Sequence, residues 1–282
     1  MPTSRLRRRG ISGVSLLLAA LVGLGLYLAF RHVAPALQLQ GSGCAADGGG
    51  QEITLDAGQA GIAATIAGVA QRDALPARAV TVAYAAALQE SKLQNLPYGD
   101  RDSVGVFQQR PSQGWGPRSD LENPVYATSK FFGALTKVPG YRRMPIYQAA
   151  QAVQRSADGL AYARFEPLAM NMTAAFTGRE PHAVWCWYTP GITGTARVRA
   201  ARLDLVRTFG TLFTRATADP GLAVKVGSIR QGWVVATWLV SHAQQFRITA
   251  VRYAGYRWTA AAGSRGWART VSPAPPGIVE LG

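Results

Sequence analysis

The sequence predicts a mainly α-helical domain that lies between one transmembrane helix and a small α+β domain. Three observations lead to this fold class. An uncharged run of 21 residues follows a cluster of arginines at the start of the chain. Apolar residues then recur at helical spacing over most of residues 51–186, and two short strand-like stretches around a glycine follow near the C-terminus. A chain of 282 residues can hold one large domain or two modest ones.

The N-terminal segment has the composition of a membrane anchor. Four of the first nine residues are arginines, and Gly10–Phe30 carries no charge. Such a run crosses about 30 Å of hydrocarbon as a helix. We therefore expect residues 1–10 to form a basic cytoplasmic stub, residues 11–30 to form a single transmembrane helix, and the main domains to lie outside the cell. A cleaved signal peptide is the alternative, because Ala34-Pro35-Ala36 resembles a cleavage site.

Residues 31–50 are predicted to be a spacer, and they contain the first of two cysteines, Cys44. The second, Cys186, follows the helical region. Two cysteines outside the cell can pair, and this pair would close a loop worth about 4 to 5 kcal/mol in the chain-entropy model. Two separate buried thiols are the alternative. Two cysteines and three scattered histidines do not compose a metal site.

Five helices are expected between residues 51 and 186, and aspartate, asparagine or proline marks the start of most of them. Their expected ranges are 57–71, 76–93, 124–138, 146–155 and 160–176. A Gly/Asp turn and a short extended segment, Val104–Gln109, follow the second helix, which carries Glu90 near its end. The stretch from Ala85 to Gly116 therefore combines a helix-borne carboxylate with a polar turn and a short apolar segment, as expected for a functional site.

The pattern of this stretch is Gln89-Glu90-Ser91, followed by Ser103-Val-Gly-Val-Phe-Gln108. It resembles the lysozyme-like domain of lytic transglycosylases and goose-type lysozymes, in which a helix ending in Glu-Ser precedes a Gly-Leu-Met-Gln strand. The run from residue 89 to 116 more closely resembles the membrane-anchored, extracytoplasmic lysozyme-like proteins of actinobacteria. A weaker resemblance covers residues 56–177, so residues 51–186 are expected to form the lysozyme-like domain.

The resemblance implies cleavage of the MurNAc–GlcNAc linkage in peptidoglycan glycan strands, with Glu90 as the general acid and then the base, and without a cofactor. Gln108 would face the cleft, and Gln109 would face the other way if the segment is extended. Trp115 would stack on a sugar or fill the core, and both interpretations stay open. The candidate substrate-binding residues are Ser91, Tyr98, Ser103, Gln108, Gln109, Trp115 and Gln154.

The chain departs from the family pattern in one segment. Transglycosylases carry Ala-Tyr-Asn-Ala-Gly where this sequence has Ala152-Val-Gln154-Arg-Ser156. Gln154 can replace the amide, but the tyrosine is absent. Asp100 and Asp102 are either turn formers or a second carboxylate for Glu90. The alternative function is a catalytically inactive lysozyme fold that binds peptidoglycan or scaffolds an envelope complex.

The last part of the chain is strongly basic. Residues 187–200 are predicted to be a linker and residues 201–282 a small α+β domain. The net charge is +9 for residues 187–282 and +1 for residues 44–186. Outside the cell, such a surface would meet anionic wall polymers or lipid headgroups, and the topology excludes nucleic acid as the partner. A basic surface that serves only solubility is the alternative.

Overall fold

The computed structural model describes residues 22–25, 41–155, 160–211, 214–217 and 221–282. The chain divides into two compact units, Met1–Gly41 and Ser42–Gly282. Residues 22–25 are helical, whereas the rest of the predicted transmembrane helix, the stub and most of the spacer lie outside the described residues. Within the described ranges, no helix is both long and apolar enough to cross a membrane.

Between residues 57 and 176, the second unit is a mainly helical region. Asp56 starts its first helix through a capping box with Gln59, and Asn123 caps a later one by accepting from the backbone N–H of Val125. The predicted helices are present, although the last begins six residues later than expected. The helices are α1 (Ala57–Arg72), α2 (Ala77–Ser91), α3 (Arg118–Leu121), α4 (Pro124–Leu135), α5 (Ile146–Gln154) and α6 (Glu166–Phe176).

A small antiparallel sheet joins the start of this region to its end. Its strands are β1 (Gly43–Asp47), β2 (Glu52–Leu55) and β3 (Val184–Trp187), in the order β2-β1-β3. Cys44 lies opposite Cys186 in this sheet, and the two form a disulfide, which confirms the predicted pairing. Residues 43–47 were expected to be spacer but form the central strand, because their small side chains are buried between two neighbouring strands.

The C-terminal part contains a larger antiparallel sheet with the strand order β4-β5-β9-β6-β7-β8. The fold is therefore mixed α+β, and the hairpin expected around Ala254-Gly255 is present. Apolar spacing in the sequence predicts one helix over residues 230–246, and the structure divides it at His242 into two. The elements are α7 (Val198–Phe209), β4 (Thr214–Thr217), β5 (Gly221–Lys225), α8 (Ile229–Ser241), α9 (Ala243–Phe246), β6 (Ala250–Tyr253), β7 (Tyr256–Thr259), β8 (Ala268–Arg269) and β9 (Ile278–Leu281).

Helix α1 lies at the centre of this unit. The sequence predicts one apolar face for it, but residues 60–70 are buried on every side, because α2, α4, α7 and α8 all pack around it. Its alanines and glycines allow the close approach. A Cβ on Gly68 would lie only 2.5 Å from Cγ2 of Thr208 in α7.

Helix α8 connects the C-terminal sheet to α1. All residues from 232 to 241 are buried, so this helix belongs to the interior that both regions share. The predicted linker, residues 187–200, thus joins two parts of one compact unit, and its first residue, Trp187, is the last residue of β3. Both sheets, the disulfide and the buried core lie within Ser42–Gly282, so we expect this unit to fold without the residues before it.

Candidate active site

Glu90 lies in the last turn of α2, and its side chain is half-exposed. The preceding residues, 79–88, are all buried, so the helix that carries the carboxylate is firmly held. The helix ends at Ser91 because Lys92 and Leu93 adopt left-handed backbone angles, with φ of 55° and 59°. Glu90 is therefore a solvent-accessible acid on a rigid support.

A buried tyrosine holds this carboxylate. The hydroxyl of Tyr162 donates a hydrogen bond of 2.7 Å to Oε1 of Glu90, and the tyrosine side chain is fully buried. The other oxygen, Oε2, makes no hydrogen bond with another described residue. One carboxylate oxygen is thus fixed by a neutral donor, and the second is free to meet a substrate.

Sequence reasoning missed Tyr162. The resemblance directs attention to residues 152–156, where no tyrosine occurs, whereas the structure brings a tyrosine to Glu90 from a position 72 residues away in the chain. Tyr162 stands between alanines in a run without any distinctive motif, so no local signal identifies it. Packing alone creates the contact.

A second contact between the same two segments lies beside the first. Nη2 of Arg164 donates to Oε1 of Gln89 at 2.8 Å. The charged groups of Arg164 and Lys92 also lie over the ring of Phe165, 4.8 and 4.7 Å from its centroid. The end of α2 therefore has basic groups close to it, and Arg164 is a further residue that the sequence did not indicate.

The segment Val104–Gln109 is a tight loop and not the extended strand that the sequence predicts. Gly105 and Gln108 both have positive φ, of 77° and 48°, and the loop closes through a single antiparallel bridge between Val104 and Gln109. Because the chain reverses within this segment, the alternating orientation expected for a strand does not apply.

Two of the predicted substrate-binding residues hold this loop by its backbone. Oγ of Ser91 donates to the carbonyl oxygen of Val106 at 2.7 Å, and Nε2 of Gln154 donates to that of Phe107 at 2.7 Å. Ser91 is buried, and Gln154 is half-buried. Both side chains position the loop beside the end of α2.

The two glutamines of the loop also bind protein groups. Nε2 of Gln108 donates to the carbonyl oxygens of Tyr98 and Gly105, at 3.2 and 3.1 Å. Gln109 is 2% exposed and donates to the carbonyl oxygen of Ala127 at 3.2 Å. Gln109 therefore lies in the interior, where its side chain does not present its amide to a sugar.

Asp102 is the centre of a separate network in the preceding turn. Its carboxylate accepts from Nε of Arg110 at 2.8 Å and from the backbone N–H of Ser112 at 2.7 Å. The hydroxyl of Ser112 also donates to it, at 3.0 Å. The Arg110 guanidinium and this N–H hold the pKa of the Asp102 carboxyl well below its ordinary range. Asp102 thus closes a turn, as one of its two interpretations predicts.

The remaining predicted residues differ in their exposure. Tyr98 is 68% exposed, Trp115 is half-buried against the core, and Ser103 is 6% exposed. Asp100 is 88% exposed, with one oxygen 3.9 Å from Nε of Arg101. Tyr98 and Trp115 are therefore the two aromatic side chains of the stretch that have surface available to a ligand.

Within the described part of the chain, no group of three or more histidine, cysteine, aspartate or glutamate side chains could hold a metal ion. A comparison of the sequence with models of protein families finds no match, and no curated protein matches it either. The motif around Glu90 and the geometry of its side chain are therefore the features that indicate a function.

Proposed function

We propose that residues 42–282 form an extracytoplasmic enzyme that cleaves the glycan strands of peptidoglycan, as a lytic transglycosylase or a muramidase does. The observation that carries this proposal is the carboxylate of Glu90. It is half-exposed at the end of a buried helix, and Tyr162 binds one of its oxygens at 2.7 Å. A general acid needs this combination of fixed position, access to solvent and a free oxygen.

In the proposed reaction, protonated Glu90 donates its proton to the glycosidic oxygen while the bond from that oxygen to the anomeric carbon breaks. The Tyr162 hydroxyl then stabilises the carboxylate that remains. In the second step, Glu90 takes a proton from the nucleophile that attacks the anomeric carbon. A water molecule as nucleophile gives a hydrolysed product, and the C6 hydroxyl of the substrate gives an anhydro product.

Substrate binding is assigned to aromatic side chains of the stretch that follows Glu90 in the chain. Tyr98 and Trp115 offer aromatic surface to a sugar ring. Ser91 and Gln154 act indirectly in this proposal, because their side chains fix the backbone of residues 104–109. A rigid loop next to the acid would keep the glycosidic oxygen within reach of the proton donor.

We also propose that residues 11–30 anchor the enzyme in the cell membrane as a single span, with the catalytic unit outside the cell. The arginine cluster and the uncharged run that follows it support this orientation. The Cys44–Cys186 disulfide is typical of an oxidising compartment. Exposed basic residues of the C-terminal sheet, such as Lys225 and Arg257, would contact anionic wall polymers or lipid headgroups.

One observation favours the alternative function, a lysozyme fold that binds peptidoglycan without cleaving it. The amide of Gln108, which the resemblance places at the substrate, donates to the carbonyl oxygen of Gly105 in its own loop and to that of Tyr98 in the preceding turn. A glutamine used in this way supports the loop and does not orient a sugar. The alternative keeps Tyr98 and Trp115 as contacts for a sugar but assigns no reaction to Glu90.

Release of muropeptides from purified sacculi by the Ser42–Gly282 unit tests the proposal. The unit should release soluble fragments, and its Glu90→Gln variant should release them about 10²- to 10⁴-fold more slowly. Glu180→Gln, which changes an exposed glutamate elsewhere, should behave like the parent. Product masses distinguish hydrolysed from anhydro ends. If the parent and Glu90→Gln both bind sacculi and neither releases fragments, the alternative function replaces the proposal.

A further inference from the structure

Helix α7 buries one of its sides and presents the other to solvent. The buried side consists of Ala201, Leu205, Thr208 and Phe209. It packs on α1, and the ring of Phe209 lies edge-on to the indole of Trp238 in α8, at a centroid distance of 6.3 Å. The core therefore holds α7 firmly, and the solvent-exposed side of the helix has a fixed orientation.

The exposed side of α7 has an apolar centre. Leu203 is 52% exposed and Val206 is 40% exposed. Residues three apart in a helix are neighbours on its surface, so these two side chains form one apolar strip. Apolar side chains that are scattered singly over a surface are common, whereas adjoining ones indicate a contact with another apolar surface.

Exposed arginines surround this strip. At about 100° per residue around the helix axis, Arg202 lies on one side of the strip, Arg207 lies on the other, and Arg199 lies one turn before Leu203. Arg207 pairs with Asp204 at 2.7 Å, whereas Arg199 and Arg202 make no ion pair with a described residue. The outer face of α7, as we call it, consists of Arg199, Arg202, Leu203, Val206 and Arg207.

An apolar strip between arginines is complementary to the surface of an anionic lipid bilayer. Guanidinium groups bind lipid phosphates, and the long arginine side chains reach the headgroups while apolar neighbours enter the boundary with the acyl chains. A dissolved polyanion would use only the charges and would leave Leu203 and Val206 in water. The strip therefore favours a lipid surface over a soluble polymer.

The place of this helix in the chain supports the same partner. The net charge of +9 on residues 187–282 attracts the unit to an anionic surface. Eleven residues, 31–41, separate the proposed membrane span from the start of the second unit at Ser42. A chain of that length reaches at most about 40 Å. A unit on such a tether stays close to the bilayer.

We propose that the outer face of α7 docks on an anionic lipid bilayer and thereby orients the Ser42–Gly282 unit on the membrane. The inference rests on the proposed membrane anchoring and deepens it, because it assigns the lipid contact to α7 and leaves the C-terminal sheet for wall polymers. It does not depend on Glu90, and it holds whether or not the protein cleaves a glycan.

Co-sedimentation of the Ser42–Gly282 unit with lipid vesicles tests the proposal. Vesicles of mixed phosphatidylglycerol and phosphatidylcholine should retain the unit, and vesicles of phosphatidylcholine alone should retain little of it. No retention by the anionic vesicles, or equal retention by the neutral ones, would overturn the proposal. Because this unit lacks residues 1–41, such a failure would refute the docking of α7 and leave both the anchor and the muropeptide assay as separate questions.

Variants locate the contact on α7. Arg199→Gln and Arg202→Gln should each weaken vesicle binding about five-fold, the effect of one arginine near an anionic surface. Leu203→Ser should also weaken it about five-fold, because a half-exposed leucine loses its burial among the lipids. The matched controls are Arg143→Gln, at an exposed arginine elsewhere, and Met170→Ser, at a methionine of α6 that is 58% exposed. Both should bind much as the parent does.

The pattern of losses distinguishes a membrane from a dissolved polyanion. All the altered side chains are exposed, so the thermal midpoints of the variants should equal that of the parent, and a loss of binding then reports on the contact itself. Weaker binding in the arginine variants with unaltered binding in Leu203→Ser would assign the face to a soluble polyanion and overturn the lipid docking. Losses no larger than those of the two controls would refute the surface.

Discussion

Two carboxylates that are close in the sequence, Glu90 and Asp102, lie in opposite surroundings. Glu90 accepts one hydrogen bond from a neutral phenol, whereas Asp102 accepts from a guanidinium, a backbone N–H and a hydroxyl. A carboxylate held by Arg110 stays ionised and serves as a clamp for its turn. The carboxylate of Glu90 has no such cationic partner among the described residues, and its second oxygen makes no hydrogen bond with them. The two acids share a carboxylate but differ in partners, which is why the proposed reaction uses Glu90 and not Asp102.

The largest effect should separate the two acids by activity. Because a general acid contributes about 10²- to 10⁴-fold to a rate, Glu90→Gln should lower muropeptide release by a factor in that range. Asp102→Asn, an equivalent change in the turn, should keep most of the activity. Initial rates of release from sacculi measure both. Similar losses in the two variants would remove the distinction between them.

A smaller effect should follow from the partner of Glu90. Tyr162→Phe removes the hydroxyl that binds Oε1 but keeps the buried ring, and it should lower kcat about ten-fold, the equivalent of one hydrogen bond to a charged group. KM should change little, because the tyrosine does not face the substrate in the proposed reaction.

Tyr141→Phe is the matched control for this variant. Tyr141 is also buried, but its hydroxyl makes no hydrogen bond with a described residue, so kcat should stay at the parent value. Steady-state kinetics on a soluble glycan fragment measures kcat and KM separately. A change in KM alone would contradict the assigned role of Tyr162 in holding the acid.

A more modest effect is expected from the loop that borders Glu90. Gln154→Ala removes the hydrogen bond to the carbonyl oxygen of Phe107 and should reduce release about five-fold, because the loop gains freedom. Gln148→Ala, on the exposed side of the same helix, should have no effect. Equal behaviour of the two variants would show that the loop does not depend on Gln154.

The smallest effect concerns the stability of the turn around Asp102. The folded protein lowers the pKa of this carboxyl, so its contribution to stability is present above the unfolded value of about 3.9 and decreases as the pH falls below it. The thermal midpoint of Asp102→Asn should therefore lie below that of the parent at pH 6, and the gap should narrow toward pH 3. Thermal melts followed by circular dichroism measure this gap. A gap that widens at low pH would contradict the clamp.

Local signals predicted most of the helices and the hairpin of β6 and β7, and they placed Glu90 at the end of a helix. Proline, asparagine and aspartate mark the helix starts. The Glu90-Ser91 pair, followed by a Gly/Asp turn, indicates an acidic residue at the end of a helix. The same signals failed at Val104–Gln109, where Gly105 and Gln108 turn back a segment whose composition favours a strand. They also failed at residues 43–47. Small residues are common in linkers, and here they form a buried central strand because two neighbouring strands cover them.

The sequence by itself determined most of the helices, the position of Glu90 at the end of one of them and the pairing of two cysteines, since each depends on neighbours in the chain or on a count. Only the tertiary structure decided that α1 is buried on all sides and that Tyr162 binds Glu90. These contacts join residues far apart in the sequence, and they form because the whole chain packs to bury its apolar surface.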